Sequence, residues 1–346
     1  MTRAVFAIPG DKDRRTGGFI YEARVLRALN DIGCKTAHLE LPDSFPDPTP
    51  DDMVSTLAAL RAVPADQPII LDGLVFGAID PDGLAKVHAP VIAMIHHPLG
   101  LETGLPADRA AFLRRNEAAA IAHAAHIIVP SSETADVLTR QFGAAPDQIT
   151  CAPPGFDRPH VDRQPSDPPL ILSVGLLAPR KGHDVLLSAL ARIKDLDWQA
   201  EIVGKTHDPL YAAALHAQRT DLGLQSRVGF SGEIDGPALE QRMNAASVFA
   251  LATRYEGYGM VLSEAMFYGL PIVTCDGGAV SKTVGNAAVV VAKDDPEAFA
   301  TALSRLLTDS AHAKTYSDCA FEMSTRLASW TDTARIFEEV VYRIGA

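Results

Sequence analysis

The chain has little cysteine and no long hydrophobic run, and both absences narrow the classes of protein to which it can belong. No stretch of 18 apolar residues occurs among its 346 residues, so no membrane-spanning helix is expected. The first residues are too short a stretch for a signal peptide and predict a strand instead. The cysteines have no paired spacing, as expected for buried thiols in a reducing cytoplasm, and they are Cys34, Cys151, Cys275 and Cys319.

The chain also lacks an excess of positive charge. Its net charge is -12 at pH 7. Residues 1–165 contain 15 Lys and Arg against 21 Asp and Glu, and the remainder contains 16 against 22, so each half carries -6. Neither half is basic, which argues against nucleic acid and against strong attraction to anionic lipid.

Several phosphate and metal motifs are absent or weak. The chain contains neither Gly-x-Gly-x-x-Gly nor the Walker A pattern, which argues against a nicotinamide dehydrogenase and a P-loop enzyme. Asp-x-Asp tripeptides occur at residues 11–13 and 80–82. We interpret both as loop charges, and we predict no metal site.

Short apolar segments alternate with helical patterns along most of the chain, which predicts parallel sheets covered by helices on both faces. Residues 158–169 contain four prolines and predict a linker between two domains. The predicted strands of the first domain are residues 5–8, 36–39, 68–71, 90–95 and 127–130. The second domain opens with a buried strand at residues 170–175.

Residues 254–266 lie between predicted strands at residues 247–251 and 271–274, and they carry Glu256 in a predicted glycine turn and Glu264 in the helix that follows. Eight helical steps would separate them by ~12 Å. The carboxylates of a glycosidase flank one bond at roughly 5–10 Å, so the spacing favours two contacts to one extended ligand. Vicinal hydroxyls of a sugar or a ribose suit such carboxylates. The alternative is that both are solvated helix charges, and the adjacent glycines and buried strands favour the ligand.

Other polar residues follow predicted strands. Gly17 and Gly18 precede a helix predicted at residues 19–32, where backbone N–H groups can bind an anion. The alternative for this pair is a plain loop. His96 and His97 follow the fourth strand directly, although a lone histidine is more often a surface or core residue.

Two cations, Arg180 and Lys181, lie between a predicted strand end and a helix N-terminus. Positive charge and backbone amides together suit a pyrophosphate. The alternative is two solvated basic side chains.

The pattern Glu-x7-Glu followed by Ala-Met-x-x-Gly-x-Pro-Ile-Val begins at Glu256 and resembles the signature of retaining glycosyltransferases of family 4 (group 1). The resemblance implies the GT-B fold, an α/β arrangement of two Rossmann-like domains facing a cleft. It implies an acceptor-binding domain at residues 1–160 and a nucleotide-sugar-binding domain at residues 161–328. Residues 329–346 would form a helix that crosses back to the first domain.

The resemblance also implies roles for single residues. Glu256 would contact the donor sugar and Glu264 the ribose, while Lys181 would bind phosphate. His96 would contact the donor sugar, with His97 a near-equal candidate. Catalytic roles are thus implied for His96, Glu256 and Lys181. Donor-binding roles are implied for Gly17, Gly18, Arg180, Lys181, Val228, Phe230, Glu256, Gly257, Tyr258, Gly259, Met260, Val261 and Glu264.

The implied activity is retaining transfer of a sugar from a nucleotide diphosphate sugar, with UDP as the expected nucleotide. The acceptor would be a small molecule, a sugar or a lipid. Neither metal nor cofactor is expected, because helix-terminal amides would replace a metal. The helix predicted at residues 108–125 has three arginines but only Phe112 as an aromatic anchor, which favours a solvated face over membrane contact.

Two departures from the family pattern keep other functions open. Leu176 stands where an arginine is common, and Ser281 stands where a glutamate is common. A nucleotide-sugar 2-epimerase of GT-B architecture is one alternative. A nucleotide-sugar-binding protein without turnover is another.

Overall fold

A computed structural model describes residues 3–345. The chain divides into two units. The first runs to Asp157 and includes the chain from Ala328 onward, whereas the second is Arg158–Leu327. The predicted linker, residues 158–169, therefore belongs to the second unit. Met1, Thr2 and Ala346, at the ends of the predicted domain ranges, lie outside the described residues.

All named strands pair in parallel, in two sheets of six strands. The strands of the first unit are β1 (Ala4–Pro9), β2 (Thr36–Leu41), β3 (Ile69–Asp72), β4 (Val91–Met94), β5 (His126–Val129) and β6 (Ile149–Cys151). The strands of the second unit are β7 (Leu170–Val174), β8 (Gln199–Val203), β9 (Val228–Gly232), β10 (Ala246–Leu251), β11 (Ile272–Cys275) and β12 (Ala288–Val291).

Helices connect the strands in both units. The first helices are α1 (Gly17–Asp31), α2 (Pro50–Arg61), α3 (Gly73–Ala78), α4 (Pro81–Leu84), α5 (Ala107–Ile121) and α6 (Ser132–Phe142). The second unit contains α7 (His183–Leu190), α8 (Pro209–Asp221), α9 (Gly236–Ala245), α10 (Met260–Phe267), α11 (Val280–Val284), α12 (Pro296–Thr308) and α13 (Ser310–Ser324). The last helix is α14 (Trp330–Ile344). Among residues 3–345, no helix combines the length and the apolar character needed to cross a membrane.

The sheet of the first unit has the order β2-β1-β3-β4-β5-β6. Its central strands are buried along their whole length, as expected when helices cover both faces. The last helix, α14, packs on α1. The ring of Tyr21 lies 5.8 Å from that of Trp330 and 6.1 Å from that of Phe337. The Tyr21 hydroxyl donates to the carbonyl of Ala152, so one α1 side chain joins α14 to the end of the sheet.

The sheet of the second unit has the order β12-β11-β10-β7-β8-β9. Strands β7 and β10 are neighbours in the sheet, although three helices and two strands separate them in sequence. From this pair the strands follow in chain order in opposite directions, β8 and β9 on one side and β11 and β12 on the other, so the strand order reverses there. In open parallel sheets, ligands bind outside the carboxyl ends of strands at such a reversal. The strand order therefore predicts a ligand site at the loops that follow β7 and β10.

Candidate functional site

The loops after β7 and β10 pack directly against each other. Gly182 is the point of closest approach, because a Cβ atom there would lie 1.8 Å from the carbonyl oxygen of Ala252. Its φ of +64° also favours glycine. The Arg180-Lys181 turn, a short 3-10 helix over Pro179–Lys181, is thus held beside the loop that contains Glu256.

Lys181 and Glu256 form a buried ion pair within this contact. The distance from Lys181 Nζ to Glu256 Oε1 is 2.6 Å, and the side chains are only 11% and 7% exposed. Thr253 donates its hydroxyl to the same carboxylate oxygen at 3.0 Å. Arg180 lies 3.6 Å from the other oxygen, Oε2. The structure therefore brings together three residues that the sequence analysis singled out, because Arg180 and Lys181 both lie at the carboxylate of Glu256.

The pair sets the charge of Glu256. Burial alone would raise the pKa of this carboxyl, but the neighbouring Lys181 and Arg180 more than offset burial and lower it. Glu256 is consequently an ionised carboxylate near neutral pH. A carboxylate with one oxygen occupied by Lys181 keeps acceptor capacity on the other for a ligand hydroxyl.

Arg254, which the sequence analysis did not single out, fixes the two loops to each other. Its backbone N–H donates to the carbonyl of Arg180, and its guanidinium donates to the carbonyl of Pro179. The same guanidinium bonds both carboxylate oxygens of Asp184 and one of Asp294. Its position two residues before the Glu-x7-Glu pattern is the sequence signal that could have pointed to it.

The predicted glycine turn and helix are present, and they place Glu256 in the turn and Glu264 in the helix, as predicted. Gly259 has a φ of +91° and precedes α10, which begins at Met260. Glu256 is therefore in the loop and only Glu264 is in the helix. The estimate of ~12 Å assumed a continuous helix and does not apply. The first N–H groups of α10 have no intrahelical acceptor, as at every helix N-terminus, and follow Glu256 closely in sequence.

The remaining residues of this stretch are partly buried. Thr283, on α11, donates its hydroxyl to the carbonyl of Tyr258 at 2.6 Å, which links the turn to the next strand-end loop. Glu264 lies in the second turn of α10, where burial raises its pKa to about 7. Its carboxyl is thus divided between the neutral and ionised forms at neutral pH, unlike that of Glu256.

Val228 and Phe230 lie on β9, the edge strand, two strands from β7. Neighbouring strands are ~4.8 Å apart, so this segment is about 10 Å from β7 across the sheet. The carbonyl of Val228 accepts a hydrogen bond from Arg219, whose guanidinium also lies over the ring of Phe230. The structure does not bring these two residues into the contact between Lys181 and Glu256.

In the first unit, α1 begins at Gly17 rather than at residue 19. The two glycines therefore form the first turn of the helix instead of preceding it. A Cβ atom at Gly18 would lie 3.4 Å from Cδ2 of His96, which places the His96 ring beside this turn. The His96 side chain is 26% exposed, whereas both ring nitrogens of His97 are buried. Exposure thus favours His96 over His97 as the residue available to a ligand.

His96 contacts a buried carboxyl that the sequence analysis missed. Its Nε2 lies 3.2 Å from Oε1 of Glu22, a fully buried residue of α1. Asp72, at the end of β3, is also buried and lies close enough to Glu22 for the two carboxyls to affect each other's pKa. Glu22 precedes Val25 and Leu29 at helical spacing, so its place on the buried face of α1 was a usable signal. An aspartate that ends a buried strand was the signal for Asp72.

The surroundings disfavour charge on all three groups. Burial raises the pKa of Glu22 to about 8, and burial together with Glu22 raises the pKa of Asp72 well above its usual range. Desolvation lowers the pKa of His96 to about 4. The imidazole is therefore neutral at physiological pH, and the two carboxyls retain at least one proton between them.

Comparison with known proteins gives two adjoining family matches. The model described as "Glycosyl transferases group 1" matches residues 158–323, and the model described as "Glycosyltransferase Family 4" matches residues 73–159. The two matches together extend over residues 73–323, so they include the Lys181 and Glu256 loops as well as His96.

Similar proteins agree with these matches. An "MMP alpha-(1->4)-mannosyltransferase" of Mycolicibacterium hassiacum is 25% identical over 76% of this chain and 68% of its own length. A "D-inositol 3-phosphate glycosyltransferase 1" of Catenulispora acidiphila is 30% identical over 56% of this chain and 52% of its own. The chain thus spans about half to two thirds of the length of these curated relatives.

Solved structures resemble the whole chain. Sucrose-phosphate synthase from Thermosynechococcus elongatus has a TM-score of 0.84 at 21% identity, covering 99% of each chain. Anabaena Alr3699/HepE, solved in complex with UDP and glucose, has a TM-score of 0.79 at 18% identity, covering 99% of this chain and 100% of its own. With its two parallel six-stranded sheets and both family matches, the chain belongs to the family 4 (group 1) glycosyltransferases of GT-B fold.

Proposed function

We propose that the protein is a retaining glycosyltransferase that moves a sugar from a nucleotide diphosphate sugar to a small polar acceptor. The buried pair of Lys181 and Glu256, 2.6 Å apart at the strand reversal of the second sheet, carries this proposal. It places a cation suited to phosphate beside an ionised carboxylate suited to sugar hydroxyls, next to the N-terminus of α10.

The cations act on the departing diphosphate. As the bond between the anomeric carbon and the diphosphate oxygen breaks, its electron pair leaves with the diphosphate and negative charge grows there. Lys181 and Arg180 stabilise this charge, together with backbone amides at helix N-termini. A preorganised donor of this kind contributes ~3 kcal/mol to the transition state. We propose that these groups suffice without a metal ion.

Each glutamate holds a different part of the donor. Glu256 accepts hydrogen bonds from hydroxyls of the sugar, and its ionised state makes it a strong acceptor. Glu264 accepts from the ribose hydroxyls in its carboxylate form. His96, on the first unit, contacts the donor sugar. The Gly17 and Gly18 amides contact the diphosphate, since glycine lets a ligand approach the backbone closely.

Retention follows from attack on the face that the diphosphate leaves. The acceptor hydroxyl oxygen forms the new bond to an oxocarbenium-like anomeric carbon, and its proton passes to an oxygen of the departing diphosphate. No covalent sugar–protein intermediate is part of the proposal.

UDP is the proposed nucleotide. The structural similarity to a protein solved with UDP supports it. A curated relative whose printed name specifies GDP-mannose makes GDP the competing candidate. D-inositol 3-phosphate, in the names of several relatives, is an example of the acceptor class proposed here.

A thermal-shift titration with UDP, GDP and ADP, with and without EDTA, tests the nucleotide site. A ligand at 100 times its dissociation constant stabilises the folded protein by ~2.7 kcal/mol. We expect UDP to raise the Tm of the wild type, with or without EDTA, and to have no effect on Glu264→Ala. A shift with GDP alone would correct the nucleotide, and no shift with any of the three would overturn the donor site.

Product analysis then tests the chemistry. Incubation of the cognate nucleotide sugar with and without candidate acceptors should give a glycoside of unchanged anomeric configuration only when an acceptor is present. Conversion of the sugar nucleotide in the absence of any acceptor would instead indicate an epimerase. Nucleotide binding without either product would indicate a binding protein.

A further inference from the structure

We propose that Glu22 is the positioning residue of His96, holding the imidazole by Nε2 so that Nδ1 is the nitrogen offered to a ligand. The inference rests on the proposed function in one respect only, the identification of the ligand as the donor sugar. The geometry itself belongs to the first unit and involves α1, β3 and β4.

The His96 ring is held on several sides by α1. Glu22 Oε1 lies 3.2 Å from its Nε2. The ring of Tyr21 meets it edge-on, with the centroids 5.1 Å apart and the planes at 84°. Gly18 lies one turn before Glu22 on the same helix, and a Cβ atom built there would lie 3.4 Å from Cδ2 of His96, so the helix backbone also lies beside the ring. The orientation of the ring is therefore determined by a single helix.

Asp72 completes the arrangement from the adjoining strand. Its Oδ1 accepts hydrogen bonds from the backbone N–H groups of Leu74 and Val75, at 2.8 and 3.3 Å, at the start of α3. Its carboxyl is also close enough to that of Glu22 for each to affect the pKa of the other. Asp72 is thus held at the start of α3 beside Glu22, and Glu22 in turn contacts His96.

The direction of the hydrogen bond between Glu22 and His96 does not change which nitrogen is occupied. An ionised Glu22 accepts from Nε2–H, and a protonated Glu22 donates to Nε2. In both cases Nε2 is engaged inside the protein and Nδ1 remains for a ligand. A hydrogen-bonding partner that holds a histidine ring in one orientation in this way commonly makes a large contribution to the activity of that histidine.

The test compares Glu22→Ala and Glu22→Gln with the wild type. Glutamine retains the length of the side chain and can either donate to or accept from Nε2, so it should rescue the arrangement. The matched control is Glu117→Gln on α5. Glu117 is also fully buried with a pKa raised by burial to about 8, and its carboxylate accepts a hydrogen bond from the backbone N–H of Leu99.

Nitrogen-15 NMR of the imidazole rings gives a readout independent of activity, with the His96 signals assigned from their loss in His96→Ala. We expect one dominant tautomer in the wild type and in Glu22→Gln. Glu22→Ala should shift the His96 signals toward a mixture of tautomers. The His96 signals of Glu117→Gln should match those of the wild type.

Sugar transfer supplies the second readout. We expect kcat of Glu22→Ala to fall on the order of 100-fold, the cost of a misplaced catalytic group, with KM for the nucleotide sugar changed much less. Glu22→Gln should stay within a few fold of the wild type. Unchanged His96 signals and unchanged kcat in a folded Glu22→Ala would overturn the positioning role.

The two proposals fail separately. A wild type that transfers no sugar, but whose His96 signals respond to Glu22→Ala, contradicts the proposed function and supports the positioning role. A wild type that transfers sugar equally well in folded Glu22→Ala contradicts only the positioning role. If Glu22→Ala does not fold, Glu22→Leu takes its place, since it retains volume but offers no hydrogen bond to Nε2.

Discussion

Lys181 Nζ and Glu256 Oε1 lie 2.6 Å apart in a contact that is almost closed to solvent, although 75 residues separate them in the sequence. The neighbouring positions of β7 and β10 in the sheet bring them together. Because each is the main partner of the other's charge, neither can be altered without changing the state of its neighbour. Variants of this pair must therefore be interpreted together.

Replacement of Lys181 by alanine should destabilise the protein as well as abolish sugar transfer. Glu256 would remain as a buried charge with only the more distant Arg180 beside it, and breaking a buried pair costs about 3–5 kcal/mol. We expect Glu256→Ala to be destabilising too, and the double variant to be less destabilised than the sum of the two. Thermal and denaturant unfolding of the four proteins measure this coupling. Additive effects would show that the pair is not coupled.

Glu264 should make the stability of the protein depend on pH. Its pKa is raised from 4.5 to about 7 in the folded state by burial. Between these values the folded state holds more protons than the unfolded state, so stability falls as the pH rises through this window. The loss reaches up to about 3 kcal/mol by pH 7 to 8. Glu264→Gln should lack this component, which the difference between the two Tm-against-pH curves isolates. Parallel curves would contradict the raised pKa.

Gly17→Ala and Gly18→Ala should separate folding from ligand binding. Both positions are helical, where alanine is favoured over glycine by roughly 0.5–1 kcal/mol. A Cβ atom at Gly17 would meet nothing within 4 Å, and one at Gly18 would make an ordinary van der Waals contact with the His96 ring at 3.4 Å. We expect an unchanged or slightly higher Tm. If the backbone there contacts the diphosphate, KM for the nucleotide sugar should rise at least tenfold. Unchanged KM in both variants would place the diphosphate elsewhere.

Gly182→Ala should be strongly destabilising. A methyl group at this position would collide with the carbonyl oxygen of Ala252, and the positive φ adds strain. The collision separates the Lys181 turn from the Glu256 loop, so nucleotide binding should be lost with stability. Gly236→Ala is the matched control, because nothing lies within 4 Å of its Cβ and its φ is not positive. Equal Tm values for the two variants would contradict the predicted close approach.

The alternation of apolar segments and helical patterns was enough to predict two parallel α/β units, since buried parallel strands leave a strong sequence signal. The position of the Glu256 loop was predictable for the same reason. Short elements were not: α3 and α4 have six and four residues, too few for a helical period to appear. The start of α1 at Gly17 was also missed, because glycine is a poor indicator of a helix interior.

The contacts around each candidate site were harder to predict than the sites themselves. Arg254 acts on Asp184 and on the Pro179 carbonyl, and these partners are about 70 residues away in sequence. Glu22 and Asp72 come from different elements, and a carboxyl on the buried face of a helix looks like an error in an amphipathic pattern until its partners are known. A single sequence shows which residue interrupts a pattern but not which distant residue compensates for it.

The packing of α14 on α1 has a consequence for the order in which the protein is made. Residues 158–327 form a unit that is continuous in sequence, whereas the first unit needs Trp330 and Phe337 to complete the contacts of Tyr21. A ribosome that synthesises the chain from its N-terminus releases those residues only after all of residues 158–327. The unit that starts first is therefore the one that finishes last, with part of the apolar surface of α1 uncovered while more than 300 residues are translated.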